Sequence, residues 1–203
     1  MGCHILIVQH GEKERLPGDP GLTEAGRRQA EVTARWVRSR YEVTRVVTSP
    51  LRRADETAAP IARQLGLEVE ADDRLRERMN WAGEPEQTLA AFASEWRRAS
   101  ADRSFVPRSG DSSEQAAARL LAAVADLAEQ AGDDGQVVVV THGGVTVDAI
   151  RTLLGDERVR AQRPSLIDDG VPSCAVTTFR QEAVGWSVVL PSTAHLDAYA
   201  AGT

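Results

Sequence analysis

The sequence predicts an α/β protein in which helices cover both faces of a mostly parallel central sheet, a three-layer α/β/α sandwich. Continuous apolar runs at residues 4–8 and at the start of residues 136–144 are typical of strands buried on both faces. Segments of helical periodicity alternate with such strands, the order expected of parallel sheets. No linker rich in Ser, Gly or Pro divides the chain, so we expect one domain over residues 1–203.

The first helix and the second strand have clear boundary residues. Thr23 follows a loop rich in Pro and Gly, and it predicts the N-cap of a helix that runs to about Tyr41. A run rich in β-branched residues at 43–49 then predicts a strand. Ser49 and Pro50 carry the signal of a helix start, with Ser as the N-cap and Pro at the first helical position.

The rest of the chain continues the alternation. Its patterns indicate, in order, a helix ending at Gly66, a short extended piece within 67–75, helices at 86–99 and 112–131, a strand opening 136–144, a helix at 145–154, and a hairpin of edge strands that turns at 183–185. We expect Phe92 and Trp96 to be candidates for the core, and the tail beyond Ser192 to be loosely held.

Composition excludes several classes of function. The net charge of −6 argues against a bulk electrostatic grip on nucleic acid or on a membrane surface. There is no apolar run of 18 or more residues and no secretory signal. Two cysteines, Cys3 and Cys174, form no disulfide framework, so we expect a cytoplasmic protein. We expect no metal and no cofactor, and the sequence leaves the oligomeric state open, a homodimer included.

Two of the predicted strands end in the same way, with a histidine followed by a glycine. These histidines are His10 and His142, and ligands of such sheets bind beyond the carboxyl ends of the strands. Arg53 lies at the start of a helix that follows a third strand end, where anions are favoured. A neutral imidazole is a competent nucleophile toward phosphorus, and Glu77 is our candidate for the acid that protonates the leaving alcohol.

Six segments resemble, in chain order, the histidine phosphatase (phosphoglycerate mutase-like) superfamily. They are ILIVQHGE, GLTEAGRRQA, VVTSPLRRADETA, LRER, SGDSSEQAAAR and VVVVTHGGV, and they extend over about residues 4–152. The resemblance implies a phosphoglycerate mutase-like fold and metal-independent hydrolysis through a phosphohistidine. It also implies that His10 is the nucleophile, Glu77 the proton donor and His142 the second catalytic histidine. The substrate-binding residues that it implies are Gln9, Gly11, Thr23 and Arg53.

Gln9 departs from the family pattern, which has Arg-His-Gly at this position. A charge-assisted hydrogen bond is worth about 1.5–3 kcal/mol against about 1 kcal/mol for a neutral one, so Gln9 predicts a roughly tenfold weaker grip on phosphate. Lys13 or Arg78 would restore the missing charge if it reached the site. Both are interpreted here as exposed residues.

The leading hypothesis is a phosphatase, a phosphoric monoester hydrolase that acts on a small phosphorylated metabolite. A mutase is disfavoured, because the interval between the acid and the second histidine is compact. The alternative is a degenerate member that binds a phosphate-like anion, or a recruited pathway enzyme without efficient phosphatase activity. We expect residues 79–110 to form the specificity wall, although they contain no motif that names the substrate.

Overall fold

Six strands form one mixed sheet in the computed structural model, which describes residues 2–83 and 85–200. The strands are β1 (His4–Gln9), β2 (Arg45–Thr48), β3 (Val69–Ala71), β4 (Gln136–Thr141), β5 (Val176–Gln181) and β6 (Trp186–Ser192). Their spatial order is β3-β2-β4-β1-β5-β6. The first four are mutually parallel, whereas β5 runs antiparallel to β1 and to β6. The predicted mostly parallel sheet with an antiparallel hairpin at its edge is confirmed.

Helices connect the strands and cover the sheet. They are α1 (Glu24–Arg40), α2 (Arg52–Leu65), α3 (Leu89–Ala101), α4 (Ser113–Ala131), α5 (Gly143–Leu154), α6 (Asp156–Gln162), α7 (Leu166–Asp169) and α8 (Ala194–Ala200), with a short 3-10 helix at Asp73–Leu75. The sequence did not predict α6, α7 or α8. None of the helices in the described residues has the length and apolar character needed to span a membrane.

The alternation of side chains along the strands produces the three layers. Ile5 and Ile7 of β1 pack in a core with α4 and α5, whereas Leu6 and Val8 pack in a second core with α1 and α2. The buried valines of β4 divide between the same two cores. Both faces of the central strands are therefore covered, which explains why these strands are continuously apolar in the sequence.

The start of α2 differs from the prediction. The Thr23 cap of α1 is confirmed, since its hydroxyl accepts the Gly26 N–H at 3.0 Å. Ser49 and Pro50, however, precede α2, whose first residue is Arg52. The Arg52 N–H donates to the Asp19 carboxylate at 3.0 Å, so the loop before α1 satisfies the helix start. The assignment of Ser49 as the N-cap is therefore wrong.

The tail also differs from the prediction. Beyond Ser192 the chain forms α8, which packs against α1. The His195 side chain is buried, with its Nε2 atom 2.9 Å from the Thr33 hydroxyl and its ring centroid 4.8 Å from the Trp36 ring. Because these contacts hold the helix against the second core, the prediction of a loosely held tail is wrong for residues 193–200, whereas residues 201–203 lie outside the described part of the chain.

Candidate active site

The two predicted histidines meet because β1 and β4 are neighbouring parallel strands in register. Gln9 lies opposite Thr141, so the next residue of each strand, His10 and His142, emerges at the same edge of the sheet. Their ring centroids are 5.2 Å apart and their planes are inclined at 60°. This edge is the carboxyl end of the parallel strands, where ligands of such sheets bind.

His10 is held in one tautomer by its own loop. Its Nδ1 atom lies 2.8 Å from the Gly11 carbonyl oxygen, which can only accept, so Nδ1 carries the hydrogen and Nε2 carries a free electron pair. Burial lowers the pKa of His10 to about 3; the Gly11 hydrogen bond opposes this shift, and the charges of Arg53 and Lys13 add to it. At neutral pH the ring is therefore an uncharged imidazole.

Gln9 contacts the electron pair of this imidazole. Its Nε2 atom lies 3.2 Å from the Nε2 atom of His10, and because the latter has no hydrogen, the amide must donate. The Oε1 atom of Gln9 is buried and has no hydrogen-bond partner. Gln9, where the resemblance predicts an arginine, therefore contacts the Nε2 atom of His10 without bringing a charge.

His142 is fully buried and is positioned by a residue that sequence reasoning assigned elsewhere. Its Nε2 atom lies 2.7 Å from the Ser49 hydroxyl, and its Nδ1 atom has no hydrogen-bond partner among the described residues. Burial lowers the pKa of His142 well below its usual value, and the charge of Arg53 adds to this effect. When the Ser49 hydroxyl donates to Nε2, Nδ1–H remains available to a ligand. The signal for Ser49 was its position directly after a strand end.

Arg53 supplies a buried positive charge with free donors. The residue is 2% exposed, and within residues 2–83 and 85–200 its Nε and Nη1 atoms have no hydrogen-bond partner. Nη2 donates to the Asn80 side chain at 3.4 Å, and Nη1 lies 3.6 Å from the Asp19 carboxylate. Burial lowers the pKa of Arg53, while Glu77 and Asp19 oppose the shift. A buried guanidinium with unpaired N–H groups is suited to an anion.

The Glu77 side chain lies against the start of α5, and its carboxyl group accepts three backbone hydrogen bonds. Oε1 accepts from Val145 and from Arg78, both at 2.8 Å, and Oε2 accepts from Gly144 at 3.0 Å. Gly144 permits this approach, because a Cβ atom there would lie 2.6 Å from both Glu77 and the Trp96 ring. The helix start therefore fixes the candidate acid in place.

Gly11 and Thr23, two of the predicted substrate-binding residues, have other contacts. The Gly11 N–H donates to Thr57, and a Cβ atom at Gly11 would lie 2.6 Å from the Gly26 carbonyl oxygen. Thr23 donates to the Glu12 carboxylate at 2.9 Å. Neither is among the residues that line the two cavities beside His10. Their contacts hold the His10 loop against the start of α1, and substrate binding by them stays a prediction.

Arg78 and Lys13, the two cations considered as replacements for the missing charge, differ in their surroundings. Arg78 is buried, not exposed as predicted: its Nη1 atom donates to the Asp148 carboxylate at 3.0 and 3.2 Å, and its guanidinium lies 4.0 Å from the centre of the Trp96 ring. Burial raises the pKa of Asp148 to about 6, although the charge of Arg78 opposes this. Lys13 is half-buried, and its Nζ atom donates to the Glu14 carbonyl oxygen at 3.3 Å.

Two cavities open from His10. The larger has a volume of about 570 Å³ and the smaller about 290 Å³, and both are lined by His10, Lys13, Glu77 and Trp96. Phe92 and Trp96, which the sequence offered as candidates for the core, are half-buried and line the larger cavity. Across residues 2–83 and 85–200, no group of three or more His, Cys, Asp or Glu side chains is arranged to hold a metal ion.

Comparison with known proteins identifies similar chains. Residues 5–193 match the family model of the histidine phosphatase superfamily (branch 1). The glucosyl-3-phosphoglycerate phosphatase of Mycolicibacterium vanbaalenii is 34% identical over 167 residues, 74% of each chain. The phosphoglycerate mutase-like protein 4 of Arabidopsis thaliana is 34% identical over 174 residues, 79% of this chain and 74% of that protein. The solved complex of a mycobacterial glucosyl-3-phosphoglycerate phosphatase with inorganic phosphate superimposes with a TM-score of 0.75 at 30% identity, covering 95% of this chain and 98% of that one.

Proposed function

The chain belongs to the histidine phosphatase superfamily and is a phosphoric monoester hydrolase of a small phosphorylated metabolite, and we propose that it works through a phosphohistidine at His10. One observation carries this mechanism. The neutral ring of His10 presents an electron pair on Nε2 beside the unpaired N–H groups of the buried Arg53. His10 thus supplies the nucleophile that phosphoryl transfer needs, and Arg53 supplies a positive charge for the phosphoryl oxygens.

In the first step, the electron pair of His10 Nε2 forms a bond to phosphorus while the bond from phosphorus to the alcohol oxygen breaks. The leaving oxygen takes a proton from the Glu77 carboxyl group and departs as the alcohol. In the second step, Glu77 takes a proton from water, the water oxygen bonds to phosphorus, and the bond between phosphorus and His10 breaks. Inorganic phosphate leaves, and the proton on Glu77 restores the starting state.

Charge on the phosphoryl oxygens is met by Arg53 and His142, with Gln9 as a third donor. The Gln9 N–H points to His10 Nε2 in the resting state, so it must turn to a phosphoryl oxygen when that nitrogen attacks. Lys13, which lines both cavities, adds a positive charge that the Gln9 position lacks. This arrangement stabilises the transition state electrostatically.

The uncharged side chain of Gln9 favours the second candidate function, which is binding of phosphate-like anions without efficient turnover. Its amide occupies the nucleophilic nitrogen and brings no charge to the phosphate. Under this alternative the site would hold inorganic phosphate or vanadate, yet it would hydrolyse monoesters no faster than a variant without His10.

Hydrolysis of an aryl phosphate by protein dialysed against EDTA separates the two candidates. We expect turnover to survive dialysis and to be abolished in His10→Ala, since no other group in the proposal attacks phosphorus. His4→Ala, at the opposite end of the same strand, is the matched control and should keep the activity. Phosphate binding with equal, near-zero hydrolysis in wild type and His10→Ala would favour the binder, and a loss reversed only by a divalent ion would contradict the mechanism.

We also propose that residues 1–203 act as one domain in the cytoplasm. The continuous six-stranded sheet and the family match over residues 5–193 support the single domain. Cys3 and Cys174 are both buried and unpaired, as suits a reducing compartment. The predicted homodimer and the absence of a nucleic-acid partner stay predictions.

A further inference from the structure

We propose that the alcohol part of the substrate is an apolar, ring-bearing group that fills the larger cavity, and that it is not a sugar or a glycerate chain. This inference rests on the proposed function, since it takes His10 as the group that holds the phosphoryl end. It departs from the substrate named for the mycobacterial relatives, glucosyl-3-phosphoglycerate.

The wall of the larger cavity is aromatic. Trp81, Phe92 and Trp96 line it, and the ring centroids of Phe92 and Trp96 are 5.8 Å apart with their planes inclined at 41°. The Trp81 ring is fixed from behind, because its Nε1–H donates to the Gln87 carbonyl oxygen at 2.9 Å. Three ring systems around one space favour a ligand that offers a flat or apolar surface.

Two exposed leucines belong to the same cavity. Leu16 is 59% exposed and Leu89 is 58% exposed, and both line the cavity that contains the aromatic wall. Isolated exposed leucines need no explanation, but these two line the same cavity as the three half-buried aromatic side chains and add to its apolar lining. An apolar occupant would remove this surface from water. A hydroxylated occupant would also cover the surface, but its hydroxyl groups would lose their own hydration.

Neutral hydrogen-bonding groups are scarce in this wall. Among the described residues that line the cavity, there is no serine, threonine or tyrosine hydroxyl, and Asn80 is the one side-chain amide. That amide is engaged, since its nitrogen donates to the Gly18 carbonyl oxygen at 2.5 Å and its oxygen accepts from Arg53. Most of the other polar side chains of the wall are charged, among them Lys13, Arg15 and Arg97, so sugar hydroxyls placed here would meet no neutral hydroxyl and no free amide.

The smaller cavity differs from the larger one in the polarity of its wall and in its volume. Its wall includes Ser100, Asp168 and Asp169 together with the start of α5, so it is the polar side of the site. At about 290 Å³ it has half the volume of the larger cavity. The two cavities share Glu77, the proposed proton donor, so a leaving group in the larger cavity would still lie beside the acid.

A matched pair of substrates tests the inference. Phenethyl phosphate and glucose 6-phosphate are both esters of primary alcohols, so the chemistry at the leaving oxygen is similar. We expect kcat/KM to be about tenfold higher or more for phenethyl phosphate, because a buried ring contributes at least 1.4 kcal/mol. A preference for glucose 6-phosphate, or equal values for the two esters, would overturn the inference.

Leu89→Asn is the decisive variant, with Val106→Asn as its control. Leu89 is 58% exposed and lines the cavity, whereas Val106 is 57% exposed and is not among the lining residues. We expect Leu89→Asn to lower kcat/KM for phenethyl phosphate several-fold more than for glucose 6-phosphate, and Val106→Asn to leave both unchanged. Equal losses for both esters in Leu89→Asn would contradict the apolar role.

A binding measurement keeps this test separate from the proposed function. Calorimetry with a phenylalkyl phosphonate and a dihydroxyalkyl phosphonate, neither of which can be hydrolysed, compares the same two classes of ligand without turnover. Tighter binding of the phenylalkyl compound supports the inference even if no ester is hydrolysed. The absence of hydrolysis would refute the proposed phosphatase activity but not the inference about the cavity. Tighter binding of the dihydroxyalkyl compound would overturn the inference while leaving the phosphatase intact.

Discussion

The phosphoryl end of the site and the wall of the larger cavity are built in opposite ways. His10, His142 and Arg53 are at most 8% exposed and either follow strand ends or open a helix. His142 and Arg53 also carry buried polar atoms that have no hydrogen-bond partner within residues 2–83 and 85–200. The aromatic side chains of the cavity wall come instead from the connection before α3 and from α3 itself, and they are half-buried. In the proposed mechanism, the sheet positions the side chains that act on the phosphoryl group, whereas the connection before α3 shapes the cavity for the leaving group. Membership in the superfamily therefore predicts the reaction far better than it predicts the substrate.

Glu77 lies where the two regions meet, and its substitution should have the largest effect after loss of the nucleophile. Glu77→Gln keeps the shape of the side chain but removes the transferable proton. We expect kcat to fall by about 10²–10⁴ for an alkyl phosphate, whose alkoxide leaves poorly, and far less for an activated aryl phosphate. Steady-state kinetics on the two substrates checks this, and an equal loss on both would show that Glu77 is not the donor.

The burial of neutral histidines at the phosphoryl end should make stability depend on pH. Native His10 has a pKa of about 3 because burial disfavours its charged form, whereas in the unfolded chain the pKa of this histidine has its usual value of about 6.5. Between those values the unfolded state holds more protons, so stability falls as the pH falls. The loss from His10 is about 2 kcal/mol between pH 7 and pH 5.

Urea unfolding at pH 7 and pH 5 measures this effect. The decrease in unfolding free energy should be about 2 kcal/mol smaller in His10→Ala than in wild type. Phe92→Ala, in the wall of the larger cavity, should show the wild-type decrease, since this side chain does not titrate. An identical pH dependence in His10→Ala and wild type would mean that the native histidine is protonated as readily as the unfolded one.

Gln9→Arg should give a smaller effect, confined to the phosphoryl end. A charged fork in place of the amide should raise both the hydrolysis of simple monoesters and the affinity for vanadate by roughly tenfold, about 1.5 kcal/mol. Because residue 9 does not line the larger cavity, the gain should be equal for phenethyl phosphate and glucose 6-phosphate. A loss of activity would indicate a ligand less charged than a phosphate monoester, for which the arginine has no partner.

Local sequence patterns predicted which residues meet around His10, because these residues are adjacent to strand ends. His10 and His142 could be placed together from the sequence, since parallel strands present their carboxyl ends at one edge. Ser49 was misassigned because a serine before a proline carries the same signal whether it caps a helix or contacts a histidine. The contact that it makes, with a residue 93 positions away, has no trace in a local pattern.

The rest of the site depends on packing that periodicity does not encode. Phe92 and Trp96 lie at helical spacing, which is the same for a side chain facing a core and for one facing a cavity. Arg78 was interpreted as exposed because it lies in a charged run, yet it pairs with Asp148, 70 positions later, in the protein interior. The short helix α8 was missed because it has too few residues to show a period.

The measurement that tests the account most directly is the capture of the phosphoenzyme. Wild-type protein would be mixed with an aryl phosphate, quenched in base during turnover, and digested for mass spectrometry. We predict one phosphoryl group, stable in base and labile in acid, on the peptide that contains His10, and none in His10→Ala. Turnover with no phosphorylated peptide, or with the phosphoryl group on another residue such as Ser49, would contradict the proposed mechanism.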